Sequence, residues 1–286
     1  MYWFQAADRA SKSVSRAHGI PLVAVAVLLI LSCRVDAAGT TVESIGDAFD
    51  LNTDALLYSE THCVGSGLER EVFYRDAEQQ LIADKILRYE GSPTAPSVLS
   101  RNYYSREVIS IESAPLSITM STRNMAESDP EAVETVVVKP KPNMAVVIDA
   151  GFDNYVKSNW DKLVNSESLK FQFPIASREI LVELKINLKD CSYKTKTDTC
   201  FSLEIDNWFL RLLSDPIELG YDTSLRRLSR YRGLSNIGDG AGEGLVVDLR
   251  YRYPDTLTIA CNLAESELVG REAFPDLSPG NAPSSL

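Results

Sequence analysis

Residues Ile180–Lys189 (ILVELKINLK) alternate with a period of two. Ile180, Val182, Leu184, Ile186 and Leu188 are apolar, and of the residues between them only Leu181 is. Successive side chains of a strand leave on opposite faces, so this pattern specifies a strand with one face buried and one in water. Eight polar residues (SYKTKTDT) follow between Cys191 and Cys200, after which Phe201, Leu203 and Ile205 alternate with Ser202, Glu204 and Asp206. The two runs read as a hairpin stapled across its loop by Cys191–Cys200. The same alternation returns over residues 245–253, where Leu245, Val247, Leu249, Tyr251 and Tyr253 share one side.

Shorter strand candidates occupy residues 56–64, 71–74, 81–89, 108–111, 133–138, 144–148, 169–173, 217–221, 225–231 and 257–261, several of them joined by tight polar turns such as 76–79 and 222–224. Many short strands with tight turns predict a mainly β (α+β) fold, an antiparallel meander forming a curved sheet, sandwich or open barrel. One helix interrupts it. Phe152, Tyr155, Val156, Trp160, Leu163 and Val164 recur at helical spacing, with polar residues opposite. That is an amphipathic helix over 152–164, suited to lie on a sheet, with Asp149 or Asp153 as its cap.

The N-terminus predicts export. Arg9, Lys12, Arg16 and His18 precede a 13-residue apolar run from Ile20 to Ser32. A bilayer-spanning helix needs about 20 such residues, whereas a signal-peptide core needs fewer. Val35 and Ala37 supply small residues for cleavage after Ala37. A lipoprotein-type cut before Cys33 and a retained anchor through residues 20–33 are the alternatives, and all three place the rest of the chain outside the cytoplasm. The expected organisation is a signal peptide at 1–37, one β-rich domain at 38–261 and a disordered tail at 262–286, where Gly, Pro and Ser accumulate.

Removal of residues 1–37 leaves 25 basic and 38 acidic residues, a net charge of −13. Such a chain does not neutralise phosphates, which excludes a general nucleic-acid binder, and it is not drawn to anionic lipid. Four cysteines remain, an even number that suits an oxidising compartment. Four allow three connectivities; beside Cys191–Cys200, Cys63–Cys261 is the expected second bond, with that pairing left open.

Catalytic motifs are sparse. His62 is the one histidine left after cleavage, and on a strand it shares a face with Glu60, Tyr58 and Leu56. A carboxylate beside an imidazole orients a general base. This is the basis of the alternative reading as a hydrolase using His62 and nearby carboxylates, Glu60 first, with the carboxylates near the helix, Asp149, Asp153 and Asp161, as a separate version. No G-x-S-x-G elbow occurs, and one histidine does not make a multi-histidine metal centre. No cofactor is implied. The run from Gly238 to Gly244 is glycine-rich like a phosphate cradle, but a strand pattern follows it where a cradle opens a helix. It reads as a hairpin loop, with Asp239 and Glu243 as a minor calcium candidate.

Binding candidates fall in two sets. One is the aromatic stripe Phe152, Tyr155 and Trp160. The other is a late cluster of arginines, among them Arg211, Arg226, Arg230 and Arg250, set in a chain that is otherwise strongly acidic. Guanidinium groups on neighbouring strands would offer an anion-binding face, or else pair across strands with Asp215, Asp222 and Asp248.

Residues 144–163 (MAVVIDAGFDNYVKSNWDKL) and 219–237 (LGYDTSLRRLSRYRGLSNI) resemble segments of an exported, uncharacterised protein family of proteobacteria. In layout, strands around one helix, the chain is similar to LolA-like periplasmic open β-barrels. The first resemblance implies no activity. The second implies an apolar groove that carries acyl chains, and it supplies no residues. Together these observations lead to an exported, non-enzymatic cell-envelope binding or carrier module, its ligand a lipid, a lipoprotein or another protein.

Overall fold

A computed structural model describes residues 41–65, 67–124, 132–206, 215–238, 244–254 and 261. The expected leader, the expected tail and all but Cys261 of the strand expected over 257–261 lie outside them.

Among the described residues, fifteen strands form one sheet. The first eight are β1 (Thr41–Asp50), β2 (Leu56–Val64), β3 (Glu69–Asp76), β4 (Leu81–Arg88), β5 (Ser97–Asn102), β6 (Glu107–Ala114), β7 (Ser117–Asn124) and β8 (Glu134–Val138). After β9 (Ala145–Val146) come helices α1 (Gly151–Ser158) and α2 (Trp160–Val164). The chain then continues through β10 (Leu169–Ile175), β11 (Ile180–Lys189), β12 (Asp198–Ile205), β13 (Ile217–Asp222), β14 (Arg227–Gly238) and β15 (Gly244–Arg252). Across the sheet the order is β8-β7-β6-β5-β4-β3-β2-β1-β15-β14-β13-β12-β11-β10-β9. Two meanders thus run toward each other and join where β1 pairs with β15. All pairings are antiparallel except that of β9 with β10.

This order forces the sheet to curl. Laid flat, fifteen strands would put β8 about 67 Å from β9. Only residues 139–144 join the two, and that connection reaches about 25 Å at full stretch. The two edges must therefore come round toward one another, giving a curved sheet that does not close. Beyond β9 the chain crosses from one half to the other: Val147 N donates to Gln172 O on β10 at 2.9 Å, and Ile148 N donates to Thr94 O, in the β4–β5 loop, at 3.0 Å. Lys85, buried on β4, grips the crossing through Asp149 Oδ2 at 2.7 Å.

Gly151 ends the crossing and starts α1. A Cβ there would lie 2.1 Å from Thr94 O, so only glycine allows this approach. Gly151→Ala is expected to lower stability by about 1–3 kcal/mol through overpacking. A lower urea midpoint at constant slope would register it, and an unchanged midpoint would show that the crossing is not pinned there.

The helix departs from expectation in two ways. It breaks at Asn159, whose Nδ2 donates to Tyr155 O at 2.9 Å, and α2 resumes at Trp160. The residue at its N-cap is Ala150, with no side-chain cap. Asp149 bonds instead to Ala150 N and Lys85, and Asp153 pairs with Lys157 one turn on.

Two apolar clusters fill the concave side. One joins Tyr58, Tyr74, Leu87, Met120, Val247 and Leu249 around Ile148 of the crossing. The other packs Tyr155, Val156, Trp160 and Leu163 onto Phe171, Ile186, Phe201 and Tyr221 of β10–β13. Both disulfides form: Cys191–Cys200 staples the β11–β12 hairpin, and Cys63 on β2 bonds Cys261.

Candidate functional site

The two sets of candidates separate across the sheet. Tyr155 and Trp160 lie inside, 8% and 5% exposed, and Phe152 is half-buried beside them. The Trp160 ring stands edge-on to Phe201 at 5.5 Å and to Tyr221 at 5.8 Å, and Tyr155 meets Phe171 at 4.8 Å. This is the geometry of an aromatic core. Arg226, in the β13–β14 turn, sits over the Trp160 ring at 5.5 Å and reaches Asp161 at 3.3 Å. It belongs with the helix rather than with the other arginines. Arg211 lies outside the described residues.

Arg230 and Arg250 are register partners on β14 and β15, on the convex face. Between them sits Asp248, almost wholly buried. Arg230 Nε donates to Asp248 Oδ1 at 2.6 Å and its Nη2 donates to Oδ2, a two-pronged bond, while Arg250 Nη2 donates to Oδ2 at 2.9 Å. Arg250 also bridges to Asp54 and lies 4.3 Å over the Phe49 ring, and Arg230 lies 4.1 Å over Tyr193. The row extends through Arg232, bonded to Ser192, whose backbone N and hydroxyl both donate to Glu218, itself paired with Lys189. Two residues beyond the Arg232–Asp248 pair, Leu234 and Val246 face each other, each 48% exposed. Side-chain packing thus presents two arginines over aromatic rings beside an exposed apolar pair.

Asp248 fills the role of cross-strand arginine partner expected of it. Asp222 mainly caps its own turn, accepting from Ser224 N, Ser224 Oγ and Leu225 N. Burial pushes the Asp248 carboxyl up, but hydrogen bonds from Arg230 and Arg250 outweigh it, so the group titrates below its ordinary value of 3.8. A carboxyl depressed in the folded state stabilises above its unfolded pKa, and that contribution is lost as pH falls through the folded value. Stability should therefore drop as pH is taken below about 4. Asp248→Asn should flatten that drop, as read by thermal unfolding from pH 6 to pH 2; an equal slope in both proteins would deny the cluster this role.

On the concave face the strand alternation brings Glu60 and His62 together as expected. His62 Nε2 lies 2.8 Å from Glu60 Oε1, and Tyr251 Oη donates to the same oxygen at 2.5 Å. Gly46 makes room for this group, since a Cβ there would lie 3.0 Å from Glu60 Cγ, Leu249 and Tyr251. Burial, then the charge of Glu60, pushes the Tyr251 hydroxyl well above 10. Tyr251 is the member that sequence reasoning placed only on the apolar side of a strand; a phenol within an otherwise aliphatic stretch of that alternating run is the available signal. Ser44, buried on β1, is the register partner of His62.

Among the described residues, no three His, Cys, Asp or Glu side chains converge as a metal would require. The loop of the glycine-rich run, 239–243, lies outside them, although β14 and β15 pair on either side as a hairpin. No described helix is long and apolar enough to cross a membrane.

No protein-family model matches the chain, and no curated protein matches it. Among solved structures, it is similar to a β-barrel-like protein of domain of unknown function DUF1849 from Brucella abortus, at 6% identity and a TM-score of 0.37, over 77% of this chain and 99% of that one.

Proposed function

We propose that the protein is an exported, non-enzymatic binding module of the cell envelope that holds a protein partner on the convex face of β14 and β15. The observation that carries this reading is the arrangement of Arg230 over Tyr193 and Arg250 over Phe49, with Arg232 bonded to Ser192, next to exposed Leu234 and Val246. Arginine and aromatic residues, pre-ordered and flanked by apolar surface, are the composition of an interface centre. Ordering them in the free protein lowers the entropy lost on binding. The two disulfides agree with an oxidising compartment, periplasmic or extracellular. A lipid is the less suitable ligand, because Tyr155 and Trp160 occupy the concave space that an acyl chain carried as in LolA-like barrels would take.

A photo-crosslinking residue in place of Val246, in cells, tests the reading. It should give one discrete adduct, lost when Arg250→Glu is added. No adduct, or the same adduct from a probe at exposed Leu116 in the β6–β7 turn, would count against it.

A second reading rests on the Glu60–His62 pair with Ser44 beside it: a hydrolase in which Glu60 orients His62 and His62 activates a hydroxyl. His62→Ala should then abolish turnover of ester substrates. Equal turnover by both proteins, or none by either, removes this reading.

A further inference from the structure

The convex face carries a second buried surface, on the other half of the sheet. Register runs one row from Cys63 through Glu71, Ile86 and Leu99 to Ser110. The next row runs from Phe73 through Asp84, Arg101 and Val108 to Arg123. Alternation turns both rows away from Tyr74, Leu87 and Met120 of the concave core. Outward rows of an antiparallel sheet are ordinarily wet. Here Ile86, Leu99 and Val108 are 7%, 4% and 0% exposed, and they form an apolar cluster of their own. Among the described residues, no helix or strand other than the neighbouring strands packs extensively on β3–β6. Asp84 is buried with Arg101, at 2.9 Å, and Arg123 is 9% exposed with no hydrogen-bond partner for its Nε.

We propose that this face seats the chain's own C-terminal segment, residues 262–277, tethered at its start by the Cys63–Cys261 bond. The tether fixes the place. Cys63 heads the first row, and the Cα of Cys261 is 6.1 Å from its own, so the segment begins at the edge of the buried surface. The length suffices: from β2 to β7 is about 24 Å, and 16 residues cover about 24 Å even as a helix. The chemistry is complementary. Leu263, Leu268, Val269, Phe274 and Leu277 match the apolar cluster, and Glu265, Glu267, Glu272 and Asp276 against a single Arg271 supply acid for Arg101 and Arg123. A covalent tether also holds the segment at an effective concentration on the order of millimolar, so modest affinity is enough.

The test uses Leu99→Cys in the oxidised full-length chain and in a chain ending at Cys261, with maleimide labelling read at residue 99 by peptide mass. Labelling is expected to be slow in the full chain and at least tenfold faster in the shortened one. Should the shortened chain fail to fold, Leu268→Asp with Phe274→Asp in the full chain should speed labelling likewise. Slow labelling in every folded form would overturn the proposal and assign the cover to another segment, such as the acidic linker 125–131 that follows Arg123. Fast labelling of the full chain would overturn it by showing the face open.

Discussion

Replacing Cys63 and Cys261 together by alanine is expected to cost up to about 5 kcal/mol, against at most about 2.6 kcal/mol for replacing Cys191 and Cys200. The difference follows from the sequence separation of the bonded cysteines, 198 positions for the first bond and 9 for the second. A crosslink acts largely by removing freedom from the unfolded chain, and a longer loop has more to lose. The first bond also ties the stretch after β15 across β1 to β2, near the seam where the two meanders meet. Guanidinium unfolding of the two double variants measures both effects. Equal losses, or a larger loss for the short loop, would show that Cys63–Cys261 constrains little of the fold.

Trp160→Ala is expected to destabilise by about 3–5 kcal/mol, the range for emptying an aromatic site in a packed core. Trp160 lies 5% exposed between Phe201 and Tyr221, under the Arg226 guanidinium. The surrounding strands are fixed by sheet hydrogen bonds and have little room to collapse into the void. Trp160→Phe keeps most of the volume and should cost markedly less. A loss below about 1 kcal/mol for Trp160→Ala would mean that the indole faces open space, and would restore a ligand groove as the role of the stripe.

The sequence shows the strands whose inner positions are large. β2, β11 and β15 alternate plainly because Tyr58, Ile186 and Leu249 each fill concave space. β1 does not read as a strand, since its inner positions include Ser44, Gly46 and Ala48, and at Gly46 a Cβ would press on Glu60, Leu249 and Tyr251. β5 and β7 were missed for a different reason. Their outer faces carry Arg101 and Arg123 within the buried convex surface, and Ser and Thr fill much of the rest, so neither reads as apolar-polar alternation. Sheet order was beyond reach, because the β1–β15 pairing joins residues about two hundred positions apart. The Glu60–His62 contact was legible, being local to one strand. The Arg230–Asp248–Arg250 cluster was legible only as a surplus of arginine, since its geometry depends on which strands are neighbours.

In the proposed function the protein fills its own concave face and a partner docks on the outside of the sheet. NMR of protein purified without detergent tests this most directly. Nuclear Overhauser contacts should connect the Trp160 indole with the rings of Phe201 and Tyr221. Their absence, with contacts from Trp160 to the methylenes of a copurified lipid in their place, would contradict it.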